Sequence, residues 1–183
     1  MIATMLAATL AATLAAAPNV PNPVVDPGFE IEGAAGALSA WKDCGTTPAT
    51  LESTDVRSGR FAVLLNGDAA ICQRVKVPMA ASVLLDYWAK ATAPTGADKS
   101  AIYQEVSLYD PLTPDGKPEL VQTIVHDATT TRDFAHYTFD ITAYAGQTLL
   151  VSFAVHGGTA AAPISLVVDD VSIVSQYPIG NRS

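Results

Sequence analysis

The feature that most limits this chain is an apolar and polar alternation that recurs from Val24 to Val174 with almost no stretch of helical period. Successive side chains of a strand point to opposite faces, so alternation marks a half-buried strand, whereas a helix repeats its apolar positions every three or four residues. Val83, Leu85, Tyr87 and Ala89 share one face of segment 82–91. Leu149, Val151, Phe153 and Val155 do the same in 149–156. In 102–109, Ile102, Gln104, Val106 and Leu108 oppose Tyr103, Glu105, Ser107 and Tyr109. Turn residues punctuate these runs. Asn66-Gly67-Asp68 ends the run 61–65, Pro78 ends 70–77, and residues 113–118 separate 102–109 from 120–126. With 135–140 and 165–174 the pattern predicts eight strands, or up to ten when weaker segments near Trp41 and Leu51 count. The helices that βαβ units require are missing, and no fixed-period repeat points to a propeller or solenoid. The expected fold is an all-β sandwich of two antiparallel sheets, with exposed loops at 92–99 and 157–163.

The 183 residues fit one domain. Residues 1–17 are uncharged and Ala-rich, too short to span a bilayer, and end in Ala15-Ala16-Ala17 just before Pro18. They read as a secretory signal peptide, although its opening lacks Lys and Arg. An amphipathic helix built on Leu6, Leu10 and Leu14 is the alternative. Residues 18–23 hold three prolines and read as a linker. The domain then covers 24–176, with a tail at 177–183. The Asn181-Arg182-Ser183 sequon at the chain end is treated as chance. The product is expected outside the cytoplasm, extracellular or periplasmic, as a released monomer with no membrane anchor.

Loss of residues 1–17 leaves the formal net charge at −8. A chain so acidic repels phosphate backbones and anionic lipid, which excludes nucleic acid as the natural partner. Cys44 and Cys72 are the only two cysteines. In an exported protein such a pair forms a disulfide, here enclosing the 27 residues between them. Its worth on the chain-entropy account is about 3–4 kcal/mol. Two buried thiols are the alternative if export fails, while zinc is disfavoured because neither cysteine has a second ligand at close spacing.

Catalytic motifs are absent from the sequence: no G-x-S-x-G, H-E-x-x-H, G-x-G-x-x-G or Walker loop occurs. His126, His136 and His156 are singletons, of which two could meet and hold a metal. Asp169 and Asp170 are adjacent, and on a regular strand they face opposite ways, which argues against a shared acid and base pair. The expectation is a protein that is not an enzyme.

Four segments then carry a resemblance. Asp26-Pro27-Gly28-Phe29-Glu30 followed by Gly33 and Trp41 resembles the N-P-G-F-E opening of bacterial jelly-roll modules. Residues 57–64 are similar to their S-G-x-x-A-L strand, and 84–90 to their L-S-F-W-A-K strand. Val168-Asp169-Asp170-Val171-Ser172-Ile173 resembles their closing D-D-V-S-L. Order and spacing both agree, so the chain resembles the galactose-binding-like jelly roll, including family 4/9-type carbohydrate-binding modules. That resemblance implies a jelly-roll topology and a structural calcium ion (Ca2+) joining the two chain ends. Its ligands would be Glu30, the Gly28 carbonyl, Asp169, and the 58–61 loop through Ser58 and Arg60. Ser58 stands where some relatives carry an acid, leaving Asp55 as a substitute. Calcium favours such hard oxygens drawn from distant segments.

The resemblance also implies a polysaccharide or glycoconjugate partner. Sugar binding needs aromatic faces for stacking with polar groups converging on hydroxyls. Tyr103, Glu105 and Tyr109, with Ser107, lie together on the polar face of 102–109. Trp88 stands with Asp86 and Lys90 on a strand expected nearby, and Tyr137 is a further candidate. Core or cross-strand packing is the competing account of each aromatic. The expected function is therefore a secreted, non-catalytic glycan-binding domain. Its rivals are an extracellular structural or protein-interaction module lacking a sugar site, and a small secreted hydrolase.

Overall fold

The computed structural model of the chain describes residues 20–34, 37–94, 102–113, 117–127, 131–158 and 164–176. Among them are ten strands: β1 (Lys42–Asp43), β2 (Thr50–Glu52), β3 (Ala62–Asn66), β4 (Ala70–Lys76), β5 (Ser82–Thr92), β6 (Tyr103–Asp110), β7 (Glu119–Asp127), β8 (Arg132–Asp140), β9 (Thr148–His156) and β10 (Ser165–Gln176). A 3-10 turn, Thr142–Tyr144, lies between β8 and β9. Five strands form a first sheet in the order β1-β4-β9-β6-β7, and five a second in the order β2-β3-β10-β5-β8. Neighbouring strands pair antiparallel throughout both sheets. This is the two-sheet sandwich expected from the alternation, with the jelly-roll topology that the resemblance implies. The presumed leader, linker start and tail, and most of both long loops, lie outside the described residues.

The inward faces make one core. Ile71, Val75, Val106, Leu108, Leu149, Val151, Phe153 and Val155 from the first sheet meet Val63, Leu65, Val83, Leu85, Tyr87, Val168 and Ile173 from the second. β5 alternates between buried and half-buried residues along its whole length, as its sequence requires. Phe153 joins the layers, with its ring 5.0 Å from Tyr87 and 5.9 Å from Trp41. Truncating an aromatic so placed costs about 3–5 kcal/mol.

Two polar devices close the sides of the sandwich. The buried Gln73 side chain accepts from the Val25 N–H at 2.7 Å and donates to the Val25 carbonyl at 2.8 Å. On the other flank of that segment, Asn22 bonds the Val171 carbonyl and the Ile173 N–H, and the Pro27 carbonyl accepts from Val171. The N-terminal segment thus takes over beside β10 where pairing with β3 stops at Val168. On the opposite side Arg132 pairs with Asp127 and also reaches Gln104.

β8 begins at Arg132, three residues before the alternation predicts. A register shift between Ala89 and Ala91 sets Arg132 across from Ala91. A charged residue there reads as loop in the sequence, yet its partners are Asp127 and the Tyr137 ring, with the guanidinium carbon 5.4 Å from the ring centroid.

Candidate functional site

The outer face of the first sheet is built from what the core leaves over. Where Leu149, Val151, Phe153 and Val155 turn inward, Leu150, Ser152, Ala154 and His156 turn outward. The register aligns these with their neighbours in rows. Leu150 lies between Arg74 and Tyr109, Ser152 between Cys72 and Ser107, Ala154 between Ala70 and Glu105, and His156 opposite Tyr103. A cleft of about 730 Å³ follows this face. Its floor runs along β9 from Leu150 to His156, roughly 20 Å at the usual rise per residue. One wall is the loop Cys44-Gly45-Thr46 with Asp68, Ala69, Ala70 and Cys72; the other carries Tyr109 and Pro118.

The first wall is fastened by the Cys44–Cys72 disulfide, as the cysteine count predicts. Thr46 and Cys44 donate their N–H groups to the Asp68 and Ala70 carbonyls at 3.0 and 2.8 Å. A Cβ on Gly45 would come within 2.4 Å of the Asp68 carbonyl oxygen, so only glycine permits this approach.

Polar groups are concentrated on β6. Ser107 donates to Glu105 at 2.6 Å. Tyr103 stacks on His156 with centroids 4.4 Å apart, which places both rings at one end of the cleft. Burial, with the Glu105 carboxylate nearby, pushes the Tyr109 phenol above its usual range, so it is neutral at physiological pH and able to donate. The arrangement offers an apolar platform of Tyr109 and Leu150 at one end and hydroxyl, carboxylate and imidazole groups beyond it. Such a surface suits a polyhydroxylated ligand.

Of the residues expected to contact ligand, Tyr103, Glu105 and Tyr109 therefore share one outer face, and Trp88 does not join them. Trp88 lies in β5 of the second sheet, on the outer surface at the far side of the sandwich. Tyr137 turns inward and stacks on Tyr87 at 5.0 Å. Leu150, Ser152 and Asp68, not singled out from sequence, complete the cleft with His156 and the disulfide, which the sequence marked only as a possible metal ligand and a covalent link. The complement of the apolar face of 149–156 held Leu150, Ser152 and His156, but alternation draws attention to the buried half. His136 stacks on Trp88, far from His156, and the His126 backbone opposes Glu105 in register.

At the chain ends a second cluster assembles. Glu30 accepts the N–H groups of Arg60 and Phe61 at 2.8 and 3.0 Å. Asp169 is fully buried and accepts those of Arg57 and Ser58 at 3.0 and 3.1 Å. A Cβ on Gly28 would lie 3.8 Å from Asp169 Oδ1 and 3.6 Å from Asp170 Oδ1. The two adjacent aspartates thus converge instead of facing apart. The cause is a bulge between Asp169 and Ser172, with Asp170 in the left-handed region at φ 51°. Burial raises the Asp169 pKa, against the N–H groups of Ser58 and Arg57, which lower it. Asp55 is not part of the cluster, because it pairs with Lys90 at 2.8 Å. Gly28, Glu30, Ser58, Arg60 and Asp169 are therefore neighbours. Among the described residues no group of three or more His, Cys, Asp or Glu side chains is arranged to hold a metal ion. What the described residues show there is two carboxylates, Glu30 and Asp169, each accepting backbone N–H groups from residues 57–61.

No family model matches the sequence, and no curated protein matches it. Solved structures do match its fold. A family 61 carbohydrate-binding module in complex with β-1,4-galactotriose superposes with a TM-score of 0.60 at 16% identity, covering 86% of this chain and 100% of that one. The family 22 xylan-binding domain of Paenibacillus barcinonensis Xyn10C gives 0.54 at 13%, covering 80% and 89%. A family 16 carbohydrate-binding module gives 0.53 at 16%, covering 84% and 100%. The chain has the jelly-roll fold of carbohydrate-binding modules.

Proposed function

We propose that this protein is a secreted, non-catalytic glycan-binding domain whose ligand lies in the cleft along β9. The observation that carries the reading is the cleft itself. It joins an apolar platform at Tyr109 and Leu150 to a floor of Ser152 and Ala154, with His156 and Asp68 beyond and Glu105 on the neighbouring strand. One face of a pyranose ring stacks on Tyr109, and its hydroxyls meet Ser152 and Glu105. The roughly 20 Å floor takes several sugar units, so the bound segment belongs to a polymer. Solved structures with this fold bind galactotriose and xylan, which supports a polysaccharide partner.

The same reading includes a structural calcium at the chain ends, held by Glu30 and Asp169 with backbone oxygens from the Gly28 and Ser58 to Arg60 segments. Calcium there would offset the charge of a carboxylate that burial now disfavours. Export follows from the leader-like residues 1–17, and the disulfide agrees with an oxidising compartment. Retention of the protein on one class of insoluble or soluble polysaccharide, with calcium present, tests the function. Failure to be retained on any class would favour the protein-interaction module.

A further inference from the structure

Eight of the lysines and arginines fall among the described residues, and six are committed. Arg57 pairs with Asp170, Arg60 with Glu32, Lys90 with Asp55 and Arg132 with Asp127. Lys76 donates to the Gly146 carbonyl, and Lys117 also has a partner. Lys42 and Arg74 make no ion pair or hydrogen bond among the described residues, and both are exposed. The register sets them side by side. Lys42 is opposite Cys72 on β4, and Arg74 is two residues further along the same face. Such diagonal neighbours lie about 7–8 Å apart.

Their position relative to the cleft gives the pair a purpose. Arg74 is directly opposite Leu150, and Leu150 is directly opposite Tyr109. The three therefore form one row across three strands, so Arg74 starts about 10 Å from Tyr109 and within reach of a ring stacked there. Of the cleft's carboxylates, Glu105 lies further along β6, where its charge is taken up by the Ser107 hydroxyl at 2.6 Å, whereas Arg74 reaches Tyr109 across the strands from the β4 side. Asp110 is turned to the Leu112 N–H, and Asp43 to the Ala49 N–H. In a chain of net charge −8, two neighbouring cations, Arg74 beside Leu150 of the cleft floor and Lys42 one strand further out, form a local anion-attracting field.

We propose that Arg74 and Lys42 form an anion subsite at the Tyr109 end of the cleft, and that the glycan bound there carries a ring carboxylate, as in a uronic-acid polysaccharide. The inference rests on the reading of the cleft as the glycan site and deepens it by naming the sugar class. A neutral pyranose on Tyr109 leaves both cations without a partner. A uronosyl unit in the same place presents a carboxylate to the planar guanidinium fork, which binds such groups through two parallel hydrogen bonds, while Lys42 adds a point charge. A sulfate ester shares the charge but not the planar two-oxygen geometry.

The test is calorimetric titration of the protein with galacturonate oligosaccharides, neutral galactose oligosaccharides of equal length, and sulfated galactose oligosaccharides. Wild type, Arg74→Gln and the Lys42→Gln/Arg74→Gln double variant are compared, with circular dichroism confirming that each is folded. The expected result is uronate binding about fivefold tighter than neutral binding at low salt. That ratio should fall to within about twofold in the double variant and in high salt. Equal affinity for uronate and neutral oligosaccharides, or a uronate preference that survives the double variant, would overturn the subsite while leaving the glycan reading standing. Tighter binding of the sulfated oligosaccharide, dependent on Arg74, would overturn the carboxylate assignment. Absence of binding by all three would overturn the subsite together with the reading it rests on.

Discussion

The Arg57 guanidinium carbon lies 4.4 Å from the centroid of the Trp88 ring, and His136 stacks on the same ring at 5.0 Å. Arg57 arrives from the β10 flank, where Asp170 holds it at 2.8 Å, and His136 from β8 on the other flank. Both approaches to the indole face are taken. Asp86 completes the group, accepting from Thr138 and lying 3.3 Å from His136 Nε2.

Trp88 is therefore packed between Arg57 and His136 on the second sheet. Replacing it with alanine should lower the melting temperature, since Trp truncation at a packed site costs up to about 3–5 kcal/mol and Trp88 is only half-buried. Glycan affinity measured below the melt should stay within about twofold of wild type. A tenfold loss of affinity in a folded Trp88→Ala protein would move the ligand face to the second sheet.

The Cys44–Cys72 disulfide forms part of the cleft wall as well as a covalent link. Its removal by Cys44→Ser/Cys72→Ser should cost about 3–4 kcal/mol of stability. It should also weaken glycan binding, because the Cys44 to Thr46 wall loses its anchor. Chemical denaturation and binding titration measure the two effects separately. Unchanged affinity in the folded double variant would show that the backbone bonds to Asp68 and Ala70 hold the wall alone.

Tyr87 supplies a test at alkaline pH. Burial, reinforced by Tyr137, raises its phenol well above the usual value of 10. A raised pKa means that the fold favours the neutral form. That contribution to stability is fully present below about pH 10 and lost as pH rises through the folded-state value. Ultraviolet titration of the six tyrosines should leave Tyr87 un-ionised until the protein unfolds cooperatively. The Tyr87→Phe variant should unfold at higher pH than wild type. Reversible ionisation of all six with near-ultraviolet dichroism intact would contradict the burial argument.

Calcium at the chain ends predicts that chelation with EDTA lowers the melting temperature and that added calcium restores it. Asp169→Asn should abolish the response. A melt unchanged by EDTA would leave the N–H groups of Arg57 and Ser58 as the only neutralisation of Asp169.

The fold was legible because nearly every strand shows period-two alternation, and the segments it marked became β3 to β10. β1 and β2 were weak because two and three residues are too few to establish a period. The convergence of Asp169 and Asp170 was not legible, since a one-residue bulge inverts which face each side chain takes and leaves no mark in the alternation. Tyr103, Glu105 and Tyr109 could be grouped because they share one strand. The separation of Trp88 from them depends on which sheet β5 joins, and strand order comes from long-range pairing that no local pattern encodes.

The most direct test of the account compares Tyr109→Ala with wild type for binding to whichever polysaccharide retains the protein. Tyr109 is the aromatic of the cleft wall, and truncating such an anchor removes the stacking face. The account predicts at least about a tenfold loss of affinity with the fold preserved by circular dichroism. Full affinity in a folded Tyr109→Ala protein would contradict the placement of the ligand along β9.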